Sequence, residues 1–124
     1  MLVQESDGRW SIPGGWVDAL ASVKENTIRE LQEEAGIEAQ IVKVIAILDR
    51  NIHNTPRYAY GITKIFIECS YLGGAILNQI IETLDSGYFS LDELPELAEE
   101  KVTLEQIKMC FKAHFDDNWQ CLCD

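Results

Sequence analysis

A chain of 124 residues is close to the commonest size of a single domain and too short for two ordinary domains or a (β/α)8 barrel. Hydrophobic residues make up 47% of it, enough for one core that buries about two-thirds of the surface exposed by the unfolded chain, which excludes a disordered segment. Ten Lys and Arg against twenty-one Asp and Glu leave a formal charge of −11, so partners held chiefly through a nucleic-acid backbone or an anionic membrane surface are disfavoured, and an anionic ligand needs positive charge from elsewhere.

In chain order, residues 1–4 read as the end of a strand, Ser6-Asp7-Gly8 as a turn, and residues 9–12 as a short extended piece halted at Pro13-Gly14-Gly15. Ser22 and Glu25 have the spacing of a capping box and Gly36 stands where a helix would stop, so a helix is predicted over residues 23–35. Residues 39–48, rich in Ile and Val, and residues 58–71 read as strands joined by a loop over 51–56. Gly73-Gly74 turns the chain into an apolar run over 75–81, residues 87–89 look like a further short strand, and residues 90–93 have the pattern of a helix cap. The last helix is predicted over 103–115, with Ile107, Cys110, Phe111 and His114 or Phe115 at helical spacing, a stripe suited to packing on a sheet. These elements make one domain over residues 1–124, of α/β or α+β class, with a mixed sheet between helices. Cys69, Cys110, Cys121 and Cys123 fit neither a zinc spacing nor a disulfide framework and read as reduced thiols. The longest apolar stretch, residues 41–48, contains Lys43 and is too short to span a bilayer, and the N-terminus turns acidic by Glu5, so a soluble cytoplasmic protein is expected.

The strongest chemical signal lies on the first helix. Glu30, Glu33 and Glu34 are related by i+3 and i+4 and share one side of it, beside a sector formed by Val23, Ile28, Leu31 and Ala35. Such carboxylates repel one another. A hard divalent cation such as Mg2+ or Mn2+ prefers oxygen ligands, is commonly shared with substrate phosphates, and would relieve both the repulsion and the net charge. An acidic helix flank is also an ordinary solvated face, but this one follows a Pro-Gly-Gly turn, carries an Arg before its first Glu and ends in Gly36-Ile37. In this it resembles the Nudix hydrolase family, whose signature is G-x5-E-x7-R-E-U-x-E-E-x-G-U with U aliphatic. Gly15, Arg29, Glu30, Leu31, Glu33, Glu34, Gly36 and Ile37 match at the right spacing; the signature's first Glu falls on Ala21. That Glu commonly pairs with the signature Arg, so Arg29 is expected to lose a partner that Glu25, one helical turn earlier, could replace.

The resemblance extends over nearly the whole chain to a bacterial subgroup labelled ADP-ribose or CDP-choline pyrophosphatases, through residues 10–16, 49–53, 66–69 with Gly73-Gly74, Glu82-Thr83, 87–89 and 92–95. It implies an α/β/α sandwich with a mixed sheet, here lacking the usual N-terminal strand, so that an exposed sheet edge would be covered by another copy in a homodimer or by another chain. It also implies a metal-dependent hydrolase of a nucleoside diphosphate linked to another moiety. Glu33 and Glu34 would be metal ligands, Glu30 a ligand or the base that orients water, and Glu30, Glu33 and Arg29 the catalytic set. Glu82 or Asp85 would add a carboxylate from outside the signature. Gly15 would approach the substrate, Trp16 would stack on a nucleobase or lie in the core, Arg50 and Arg57 would contact phosphate, and His53 would touch a phosphate or the leaving group. The alternative implied by Ala21 is a degenerate, non-catalytic domain that binds a nucleotide or a protein partner.

Overall fold

Successive side chains of a strand point to opposite faces, and the first strand, β1 (Leu2–Gln4), uses this to divide the interior. Val3 packs with Ala35, Ile37 and Ala39, whereas Leu2 packs with Val102 and Ile107. The computed structural model describes residues 1–74 and 85–124. The Val3 side meets the end of α1 (Val23–Ala35) and the start of β3 (Ile37–Asp49); the Leu2 side meets α3 (Leu104–Phe115).

β1 lies between β2 (Trp10–Ser11) and β5 (Asp85–Gly87), antiparallel to both. A second three-stranded sheet has the order β4-β3-β6: β4 (Thr63–Gly74) runs antiparallel to β3, and β6 (Leu122–Cys123) runs parallel to it. The α+β class is as expected, with the described strands divided between two sheets where one mixed sheet is predicted. Irregularities in β3 accompany this division. Its register against β4 shifts between Glu38 and Ala39, Ile41 and Lys43, and Val44 and Ala46, and each such bulge bends a strand and increases its twist. Ile45 and Ala46 are consecutive yet both buried, and they carry β3 into another apolar cluster with Leu48, Phe66 and Ala113.

Both long helices begin at capping boxes, Ser22 with Glu25 and Thr103 with Gln106. The expected 51–56 loop instead opens with a short helix, α2 (Arg50–His53), because Asp49 accepts from the Asn51 N–H at 2.8 Å. β4 begins five residues later than predicted: the Asn51 side chain donates to the Tyr58 and Tyr60 carbonyls and accepts from the Tyr58 N–H, diverting that stretch from the sheet. Residues 88–89 leave the expected strand, and Phe89 packs edge-on against Trp10 at 4.9 Å. On α3, Ile107, Cys110 and Phe111 pack into the apolar clusters as expected, whereas Phe115 is exposed and His114 bonds Glu68, so Ala113 completes the buried stripe. Beyond the last predicted helix, the cysteine-rich tail supplies β6. The apolar run predicted over 75–81 lies outside the described residues. No described helix is long and apolar enough to cross a membrane.

Candidate functional site

The capping box starts α1 with reciprocal bonds of 3.1 Å between Ser22 and Glu25. Gly36, in the left-handed conformation at φ 69°, ends it by donating its N–H to Gln32 and Leu31. The three acids lie on the second half of this helix, under the loop over residues 13–21. Gly14 donates its N–H to Glu34 Oε2 at 2.9 Å. A Cβ on Gly15 would come 2.5 Å from Glu30 Oε1, so only glycine lets the loop backbone lie this close to that carboxylate. The Glu30 side chain is 13% exposed and that of Glu33 52%. The flank is thus graded: Glu30 sheltered beneath the loop, Glu34 tied to it, Glu33 open to solvent.

Arg29 gathers this flank. Its guanidinium donates to Asp18 Oδ2 and, at 2.5 Å, to Asn26 Oδ1, and it lies 3.6 Å from Glu30 and 3.7 Å from Glu33. The hydrogen bond to Asp18 is the foremost reason that the Arg29 pKa stands above its ordinary value. Glu25 does not take the place of the missing signature Glu: its carboxylate is used in the capping box, and Asp18 pairs with Arg29 instead. Sequence reasoning missed Asp18 and Asn26. The available signals were that Asp18 is the one acid between Gly15 and Ser22, and that Asn26 precedes Arg29 by three residues on the helix.

Trp16 is 71% exposed beside the Gly14-Gly15 turn, which removes its core alternative and leaves its face accessible. Arg50, expected at a phosphate, is instead 2% exposed. Its guanidinium donates to the carbonyls of Pro56, Thr55 and Glu100, and lies 3.6 Å from the Tyr58 ring centroid. These bonds commit its donors to the α2 loop, and Arg50 drops out of the substrate set. His53 faces the tail, 2.5 Å from Asp124, at a cavity of about 600 Å3 lined from β3, α2, α3 and β6. It is therefore brought together with the C-terminal strand, not with α1. Arg57 is exposed. Asp85 accepts from the Ser86 N–H, and Glu82 lies outside the described residues. Among the described residues, no group of three or more His, Cys, Asp and Glu is arranged to hold a metal.

The family model for the NUDIX domain matches residues 1–110. YjhB of Bacillus subtilis (strain 168), named as a candidate ADP-ribose pyrophosphatase, is 37% identical over 112 residues, or 90% of this chain. The chain spans 53% of that relative's length. The crystal structure of an ADP-ribose pyrophosphatase from Streptococcus suis 89-1591 superposes with a TM-score of 0.89 at 45% identity, covering 99% of this chain and 87% of that one. A UDP-X diphosphatase structure gives a TM-score of 0.87 at 30% identity, covering 98% of this chain and 59% of that one. Together with the loop and the carboxylate helix beneath it, these matches establish that the chain belongs to the NUDIX domain family.

Proposed function

We propose that this chain hydrolyses the pyrophosphate bond of a nucleoside diphosphate linked to another moiety, of the ADP-ribose or CDP-choline type. Water adds to one phosphorus and the bridging oxygen departs with the other phosphate, giving a nucleoside monophosphate and a phosphorylated remainder. The observation that carries this reading is the packing of the Gly14-Gly15 backbone onto the Glu30 and Glu34 carboxylates, which sets an open loop for substrate over an acidic helix flank. The names of the Streptococcus suis and UDP-X structures support the substrate class.

Glu30, Glu33 and Glu34 offer only oxygen donors, the chemistry suited to Mg2+ or Mn2+. As placed, they form no three-ligand group, so one or two of these carboxylates, with Glu82 by position in the sequence, would hold such a cation together with the substrate phosphates. When bound, it neutralises the diphosphate and polarises its oxygens. Glu30, sheltered under the loop, orients the attacking water and accepts its proton. Trp16 stacks on the nucleobase, and Arg29 holds the helix flank in register with the loop. The four thiols are free, consistent with action in the cytoplasm.

The test is a hydrolysis screen over ADP-ribose, CDP-choline and a UDP-sugar, with and without Mn2+. Mn2+-dependent release of monophosphate is expected from at least one. Calorimetric binding of ADP-ribose with no turnover of any compound would instead favour the non-catalytic reading that Ala21 motivates.

A further inference from the structure

We infer that Asp18 is a positioning residue that supplies, from the loop, the carboxylate missing at Ala21 and so keeps Arg29 from closing on Glu30 and Glu33. This rests on the hydrolase reading above, and it is carried by how the Arg29 donors are distributed. The guanidinium hydrogen-bonds the loop through Asp18 and the preceding helical turn through Asn26, which is itself buried. Toward Glu30 and Glu33 it stays at 3.6 and 3.7 Å, within ion-pair range but beyond hydrogen-bond length. The Asp18 carbonyl also accepts from the Ala21 N–H at 3.1 Å, so residues 18–21 form a turn that leads directly into the Ser22 cap. One residue thus shapes the turn through its backbone and holds Arg29 through its side chain.

Without the Asp18 charge, the planar guanidinium would turn its released donors toward the nearest carboxylates, Glu33 and Glu30, as a bidentate pair. A cation would then compete with Arg29 for those oxygens. The Asp18 side chain is 60% exposed, and an exposed ion pair adds little to stability. Its loss should therefore register at the site rather than in folding.

The test compares wild type with Asp18→Asn and with Asp18→Asn combined with Ala21→Glu, which moves the carboxylate to the signature position. Three quantities are read: the Kd of Mn2+ for the free protein by calorimetry, kcat on ADP-ribose, and the thermal midpoint. Asp18→Asn is expected to weaken Mn2+ binding and lower kcat, each about tenfold, with the midpoint unchanged, and the double variant to recover both. Mn2+ affinity and kcat unaltered in Asp18→Asn, or a double variant no better than Asp18→Asn, would overturn the inference. If wild type binds Mn2+ but turns nothing over, the hydrolase reading fails by itself and the Mn2+ series alone decides the role of Asp18. A wild type that neither binds Mn2+ nor turns over overturns both.

Discussion

The fit between Gly15 and Glu30 makes a separation of function from stability at a single residue. In Gly15→Ala the new Cβ meets the end of a flexible side chain, not backbone, so Glu30 can swing away at little cost, and the loss of glycine entropy in the unfolded chain offsets some of that cost. The displaced carboxylate, however, no longer lies under the loop. A stability within ~1 kcal/mol of wild type and a kcat lowered on the order of a hundredfold are expected from thermal unfolding and steady-state kinetics. Wild-type kcat in this variant would contradict the role given to Glu30. Trp16 is a different case because it is exposed and its proposed role touches only the base. If it stacks, Trp16→Ala loses about 1–3 kcal/mol of binding, seen as a raised KM with kcat held. An unchanged KM would remove it from the site.

At the scale of elements, the end of α1 and the end of β4 meet through two glycines. Gly36 has φ 69° and Gly74 φ 87°, both in the left-handed region, and a Cβ on Gly74 would run into the Gly36 carbonyl oxygen. Gly36→Ala should cost about 1–2 kcal/mol through its backbone alone, and Gly74→Ala more, because a backbone clash is added to the same strain. Urea midpoints order the two, and a Gly74→Ala no less stable than Gly36→Ala would show that the strands separate without cost there. Helix α1 was legible in the sequence down to both ends because its signals, the Ser22-Glu25 box and Gly36, are local. The spacing of the acids was legible for the same reason. What could not be read depends on partners distant in the chain. β6 forms only because β3 offers Ala46 and Ile47 for pairing, residues 58–62 leave the sheet because Asn51 bonds their backbone, and Arg50 looks like a surface cation until Glu100 and Tyr58 enclose it. Asp18, marked in the sequence only as the one acid of its loop, pairs with Arg29 because that loop folds over the helix.

Over the whole molecule, the −11 charge coexists with half-buried titratable groups, Lys64 and Cys110 foremost, that give stability an unusual pH course. Burial lowers Lys64 from 10.5 to about 8 and raises Cys110 from 9.0 to about 11. Between pH 8 and 10.5 the unfolded chain holds a proton on Lys64 that the folded chain has released, so Lys64 makes stability rise with pH across that window. From pH 9 to 11 the folded chain keeps a proton on Cys110 that the unfolded chain has lost, so Cys110 makes stability fall with pH there. Chemical denaturation should show a rise from pH 8 to 9 that then levels off. Lys64→Met should abolish the rise and Cys110→Ala should extend it toward pH 10.5. A flat profile in all three proteins would contradict the burial of both groups.

At this same scale, the acidic surface and the proposed phosphate chemistry are reconciled if the carboxylates of α1 serve a cation and a diphosphate together. The most direct measurement is the Mn2+-dependent release of AMP from ADP-ribose by wild type and by the Glu33→Gln, Glu34→Gln double variant, with folding of both verified by circular dichroism. A metal-dependent hydrolase predicts turnover by wild type and a loss of at least about a hundredfold in the folded double variant; equal rates in the two proteins would contradict it.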